Sequence, residues 1–352
     1  MKPHSSSSTI LNGINFGPIR VMSGATNFFN QGWPWHKALN KLGILDFKGV
    51  TFVAKTTTID PREGHMPLKE NLMPREIYPR CIHVDYFNQR VLNSVALSGP
   101  GLVNLLNRNI WQNLAKPFMI SFMPVAEKFE DKIFEAQRFV LEILKRIRNE
   151  EFRSRFGVQI NFSCPNTGEE KLNAGENFWK LLDEFIPLHD EGVAIEVKFA
   201  IDTPVNAVVF IEKHGALDGI CISNSIPFGS MDLPWEKWYP HGSPLVRRKF
   251  KGPIDQTFGR LFWRGKLDPK FKGGLSGAPL RPLVLKWIKK LRSSYDFVKP
   301  INGGGGILSP YHIDMFEDAG ADSYSIGCVA ILRPWQVQPI IKRAHELHSH
   351  LS

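Results

Sequence analysis

Cysteine is scarce in this chain: four in 352 residues, Cys81, Cys164, Cys221 and Cys328, far apart and with no CxxC spacing or Cys/His cluster. That argues against a disulfide framework and leaves no pattern for structural zinc or an iron–sulfur centre, so no metal site is expected. Long hydrophobic runs are missing as well. No stretch of about 18 uncharged apolar residues is available to span a bilayer, and the polar start MKPHSSSSTI lacks the apolar core of a secretion signal. A soluble, cytoplasmic protein without a membrane partner is the expectation. Acidic residues are outnumbered, 34 against 44 Lys plus Arg, leaving a net charge of +10. Such an excess suits nucleic acid, an anionic surface or an anionic small molecule, and bulk charge does not choose among them.

What is present is an alternation. From about residue 18, short apolar runs trade places with amphipathic stretches, the pattern of repeated βα units around a mainly parallel sheet. The runs predict strands at 19–23, 49–55, 117–123, 158–162, 194–199, 219–223, 297–301 and 323–326. Between them, helical spacing appears in 128–149, where Phe129, Ile133, Ala136, Val140, Ile143, Leu144 and Ile147 recur, and in 177–185, 204–214, 280–293, 310–319 and 334–347. Eight such units fit a (β/α)8 TIM barrel or an open doubly wound sheet. The unusual polar and glycine-rich segments fall after many different strands rather than at one switch point, which favours the barrel with its site on the C-terminal rim. A flexible tail over 1–13 and a single domain over 14–352 follow, with two long insertions on that rim, 57–91 and 226–272. The second holds Trp235, Trp238, Tyr239, Phe258, Phe262 and Trp263, too aromatic for a free linker, together with the basic group Arg247, Arg248, Lys249 and Lys251. An ordered lid or a subunit contact is expected there.

Asn161-Phe162-Ser163-Cys164-Pro165-Asn166 is the sharpest motif, two carboxamides, a hydroxyl and a thiol at the end of a strand. Carboxamides can hold a planar, hydrogen-bonding ring, and a thiol can take a proton once its pKa approaches working pH. Cys81, Cys221 and Cys328 read instead as small buried hydrophobes. Ile301-Asn302-Gly303-Gly304-Gly305-Gly306-Ile307 and Ser325-Ile326-Gly327-Cys328 are phosphate-loop candidates, placed after the seventh and eighth strands, where barrels commonly bind phosphate. The segment 273–277, with Gly277, is placed to help close the same pocket. Lys55 and Lys198 each end an apolar strand, where a cation is costly unless it faces an anionic ligand. Asn93, Ser94 and Ser98, with Ser223, Asn224 and Ser225, add amides and hydroxyls suited to a carboxylate and a ring edge.

Taken in order from about Ile14 to Trp335, these segments resemble the dihydroorotate dehydrogenase family. The loop carrying Cys164 is similar to the family's catalytic loop, and cysteine rather than serine there points to the soluble class 1 enzymes. The resemblance implies FMN as cofactor and dihydroorotate as the small-molecule substrate, oxidised to orotate in pyrimidine (UMP) biosynthesis. It assigns Cys164 as the base for the C5 proton, with Lys55 and Lys198 as the other catalytic positions. Lys55, Asn93, Leu97, Asn161, Asn166, Asn224 and Ser225 would hold the substrate. Ser23, Gly24, Lys55, Thr56, Asn161, Lys198, Ser223, Gly277, Gly305, Gly306, Gly327 and Cys328 would hold FMN. It further implies a homodimer, with an iron–sulfur/FAD partner subunit left open, since this chain has no cluster cysteines or dinucleotide fingerprint of its own. The chain departs from the family where Ala96 replaces a usual glycine, where Gly99 stands for a common asparagine, and in the length of 57–91. Oxidation of another dihydropyrimidine or cyclic amide is a competing reading, as is an RNA dihydrouridine synthase-like barrel gripping phosphates with its basic insertion. A non-catalytic barrel that keeps only the phosphate pocket is the third.

Overall fold

The computed structural model describes residues 9–76, 79–162, 174–240 and 273–349. It opens with a hairpin, β1 (Ile10–Leu11) and β2 (Ile14–Asn15), so Ile10 and Leu11, expected to belong to a flexible tail, are paired across a turn at 12–13, with Leu11 buried. Then come β3 (Ile19–Val21), β4 (Ile82–Asp85), β5 (Arg90–Asn93), β6 (Phe118–Phe122), β7 (Phe156–Asn161), β8 (Ala194–Phe199) and β9 (Gly219–Ile222). The last strands are β10 (Ile226–Pro227), β11 (Gly274–Gly277), β12 (Ile301–Gly304) and β13 (Ser323–Ile326).

Seven of these form a wholly parallel sheet in the order β3-β13-β12-β9-β8-β7-β6. Residues 51–57 close it. They bridge Thr51 to Arg20 of β3 on one side, and Val53 and Thr57 to Met119 and Phe122 of β6 on the other. The eighth staves complete the expected (β/α)8 barrel. Helix Phe129–Arg148 shows why the helices cover it: Ala136, Phe139, Val140, Ile143 and Leu144 recur on one buried face. Glu130 and Asp131 occupy its first turn and Arg146 and Arg148 its last, in keeping with the helix dipole.

The seventh barrel strand is not where the apolar run places it. Phe297 is buried outside the ladder and Pro300 has no N–H to give, so the strand proper is Ile301–Gly304. Its glycines are required by close packing. A Cβ on Gly303 would stand 2.7 Å from Phe316 and one on Gly304 2.8 Å from the Ser325 carbonyl. Part of the expected phosphate loop is therefore strand, and the loop itself begins at Gly305.

The interior of the barrel is polar. Arg20 on β3 reaches across to Glu196 on β8, two strands that are not neighbours, with Nη1 2.8 and 2.6 Å from the carboxylate oxygens. Around this pair lie buried Ser121, Gln159, Lys198, Cys221, Asn302, Ser323 and Ser325. Asn302 accepts from Cys221 Sγ at 3.6 Å and donates to Ser323 Oγ at 2.8 Å.

The two insertions are not separate excursions. β10, β11, β5 and β4 form one antiparallel sheet, in which β11, just past the second insertion, pairs with β5 at the end of the first through Gly274↔Asn93 to Gly277↔Arg90. The short helix Trp235–Trp238 packs beside it, with Trp235 and Tyr239 buried and Arg90 set 5.0 Å from the Trp238 ring. Residues 241–272, including Arg247, Arg248, Lys249, Lys251, Phe258, Phe262 and Trp263, lie outside the described residues.

Candidate active site

A cavity of about 360 Å³ opens at the C-terminal ends of the barrel strands, within the range of about 300–1,000 Å³ usual for small-molecule sites. Its lining brings together Ser23, Gly24, Lys55, Thr56, Asn93, Leu97, Asn161, Lys198, Ser223, Asn224, Ser225, Gly305, Gly306, Gly327 and Cys328. Fifteen positions picked from motifs spread over three hundred residues thus share one surface. Gly277 does not line it: it ends β11, and its carbonyl lies against Gly306, while its neighbour Ser276 reaches the cavity. Cys164 and Asn166 lie outside the described residues.

On one wall, Ser23 Oγ and Thr56 Oγ1 are 2.6 Å apart, and Thr56 Oγ1 is 2.9 Å from Ser121 Oγ. Asn161 Nδ2 extends this chain to Thr56 at 3.5 Å, and Asn224 Nδ2 donates to Asn161 Oδ1. The carboxamide of Asn161 is thereby fixed in orientation before any ligand arrives. Asn93 is held more loosely, its Nδ2 donating to Gly274 O at 3.4 Å. The hydroxyl of Ser223, buried at the cavity, has no hydrogen-bond partner among the described residues. A ligand polar group would satisfy it.

Lys55 and Lys198 are both buried at this surface. Lys55 Nζ donates to Ser98 O at 2.5 Å and sits 4.7 Å from the Phe28 ring centre, and burial pulls its ammonium from 10.5 down to about 7. Burial also holds Lys198 below the ordinary ammonium range, with Cys221 and Glu196 acting in the opposite sense. The thiols of Cys221 and Cys328 are poor bases. Burial pushes Cys221 up to about 12 and Cys328 up to about 11.

The loop after β12 is clamped from outside, where Arg281 Nη1 donates to Gly306 O at 2.9 Å. Gly305 and Gly306 have φ of +118° and +76° and line the cavity beside Gly327 and Cys328, which follow the neighbouring strand. Such a glycine pair lets amide groups approach an anion closely.

The lip between the first insertion and the barrel carries Ala96 and Leu97 in consecutive left-handed conformations, φ +55° and +58°. A glycine would adopt this left-handed geometry without the strain that an alanine carries. Gly99 has a packing reason of its own: a side chain there would meet the Phe28 ring at 3.0 Å.

Sequence reasoning passed over Met22, Trp33, Trp35, His36 and Met66, all of which line the cavity, whereas Ser276 belongs to the segment 273–277 expected there. Trp33 Nε1 donates to Gly24 O at 3.0 Å, and its ring stacks on Trp35 with centroids 6.0 Å apart. Burial pulls His36 down to about 4, so it is a neutral wall at ordinary pH. The run Trp33-Pro34-Trp35-His36, two tryptophans and a histidine just after a barrel strand, was the available signal.

No family model matches the chain. Among curated proteins, it is 24% identical over 324 residues to the dihydroorotate dehydrogenase B (NAD(+)) catalytic subunit of Listeria welshimeri, covering 90% of this chain and 85% of that one. Its identity to the protein of the same name from Halalkalibacterium halodurans is 25% over 337 residues, covering 94% and 90%. Among solved structures, the crystal structure of Eimeria tenella DHODH in complex with ferulenol superposes with a TM-score of 0.60 at 15% identity, covering 99% of this chain and 87% of that one. That likeness speaks for the fold. The sequence likeness, running through nine-tenths or more of the chain, makes it similar to the dihydroorotate dehydrogenases of class 1-like type.

Proposed function

We propose that the protein oxidises (S)-dihydroorotate to orotate using FMN, with Cys164 removing the C5 proton. The observation that carries this reading is the convergence of Lys55, Asn93, Asn161, Lys198, Asn224 and Ser225 with the Gly305–Gly306 and Gly327–Cys328 loops on one cavity. The residues present fit FMN: neighbouring glycine loops for the phosphate, a pinned carboxamide, an unsatisfied Ser223 hydroxyl and buried cations for a ring that gathers negative charge. When bound, FMN supplies the acceptor at N5 for the hydride that leaves C6.

The protein's own share is proton removal, orientation and charge. Cys164 takes the C5 proton as thiolate, which requires its pKa to be held near working pH. Asn93, Asn161, Asn166, Asn224 and Ser225 hold the pyrimidine edge and carboxylate, with Leu97 against the ring. Lys55, near half-charged at neutral pH, becomes fully protonated when an anionic carboxylate or phosphate lies beside it. Lys198 would offer positive charge to a bound ring that gathers electrons. Ser23, Gly24, Thr56 and Ser223 would help hold FMN, with Gly277 supporting the loop through Gly306.

By likeness to proteins named as catalytic subunits, the chain would act in the cytoplasm as a homodimer beside a second subunit that passes electrons to NAD. The test is anaerobic addition of dihydroorotate to FMN-loaded protein. Loss of the oxidised flavin's visible absorbance is expected, and far less of it with dihydrouracil. Unchanged absorbance with dihydroorotate would overturn the assignment. Cys164→Ala, loaded with FMN to the same extent, should lose this reduction.

A further inference from the structure

We infer that Arg20 is a positioning residue: by binding Glu196 it keeps that carboxylate from pairing with Lys198, so that one uncancelled positive charge faces the floor of the cavity. The inference rests on the flavin reading above and concerns how this chain sets the charge next to the ring.

Glu196 and Lys198 are two residues apart on β8, so their side chains leave the same face of the strand, into the barrel. Both are buried, and each feels the other's charge. Left alone, an acid and an amine so placed in a dry interior would neutralise each other. Arg20 intervenes from across the barrel. Its Nη1 lies within 2.8 Å of both oxygens of Glu196, the geometry of an ionised carboxylate with its cation. The guanidinium is in turn set in place by Met119 Sδ at 3.7 Å and the Phe16 ring at 5.2 Å.

Among the described residues the surroundings offer no other counter-charge. The remaining buried groups of the interior, Ser121, Gln159, Cys221, Asn302, Ser323 and Ser325, are uncharged, Cys221 because burial holds its thiol up to about 12. Asp322, the other buried acid among the described residues, pairs with Arg292. The charges therefore cancel at Arg20 and Glu196 and leave Lys198. Stability does not account for the pair, because a buried ion pair can often be replaced by apolar residues without loss. An interior that needs one free cation at a fixed height does account for it.

Sulfite reports this charge without turnover, since it bonds to flavin N5 and leaves negative charge on the ring. Its dissociation constant would be measured by absorbance on FMN-loaded wild type, Arg20→Met, Glu196→Gln and the double variant Arg20→Met/Glu196→Gln. Arg20→Met should weaken sulfite binding by about tenfold or more, as Glu196 turns to Lys198. The double variant should recover to within about threefold of wild type, because Lys198 is again unpaired. Glu196→Gln, with both cations retained, should bind sulfite more tightly than wild type. If Arg20→Met fails to fold, the other two variants decide: a double variant as weak as about tenfold below wild type, or Glu196→Gln no tighter than wild type, overturns the inference. Normal FMN uptake with sulfite affinity unmoved by Arg20→Met overturns it alone. Wild-type protein that takes up no FMN overturns the flavin reading and this inference with it.

Discussion

Removing the Lys55 charge should make the ligand-free protein more stable at neutral pH, an advantage that is lost at high pH. Lys55 is buried with its Nζ on the Ser98 carbonyl and near the Phe28 ring, and burial pulls its ammonium from 10.5 to about 7, with Cys81 acting in the opposite sense. Between those values the unfolded chain holds a proton that the folded chain has shed, so stability rises with pH across that window. Below about pH 7 both states are protonated and the penalty is full; above about pH 10.5 both are neutral and it is gone. The fall corresponds to at most about 5 kcal/mol, at about 1.4 kcal/mol for each tenfold change in proton affinity. Lys55→Met keeps the stem and removes the proton, at a pH-independent loss of about 1 kcal/mol for the Ser98 contact. Urea midpoints of both proteins, taken from pH 7 to pH 10 in the same buffers, cancel the titration of Lys198 and every other group. The variant's advantage should shrink by more than about 1 kcal/mol for each pH step in the middle of the range. Saturating orotate should flatten the wild-type profile by restoring the charge. A stability difference that stays constant across the range would refute the reasoning.

Three further outcomes follow from particular residues. Ala96→Gly relieves a left-handed alanine at φ +55°, which costs roughly 1–2 kcal/mol, against up to about 1 kcal/mol of added freedom in the unfolded chain, so chemical denaturation should show a gain of about 0.5–1 kcal/mol. Gly306→Ala sets a Cβ 2.6 Å from the Gly277 carbonyl at φ +76°, and should lower stability by more than about 2 kcal/mol and weaken FMN binding followed by fluorescence. Cys328→Ala and Cys221→Ala should keep flavin bleaching by dihydroorotate within about threefold of wild type, since neither buried thiol ionises near neutral pH. Loss of bleaching in either one, with FMN still bound, would assign the base to the wrong cysteine.

The barrel was legible in the sequence because its strands are short apolar runs cut off by polar punctuation, and most of the cavity because its residues sit where those runs stop. The seventh strand was displaced because Gly303 and Gly304 look like a loop, whereas their lack of a side chain serves packing against Phe316 and Ser325. Arg20 and Glu196 were passed over although each is a charge inside an apolar run, the same signal that singled out Lys55 and Lys198. Their meaning depends on a contact across 176 residues, which no local pattern displays. The small sheet was hidden for a related reason. β11 reads as a glycine turn, and only its partner Arg90–Asn93, far away in the chain, makes it a strand.

That shared sheet has a mechanical consequence. Ile82, Val91, Asn93, Ser225 and Ser276, from both excursions, look onto the same opening, and the ladder between 90–93 and 274–277 ties them edge to edge. The mouth therefore cannot be widened by one flap swinging alone. Either both excursions lift as a stiff panel or the ladder itself must unzip, and a shortening of one would have to be matched in the other for the doorway to keep its shape.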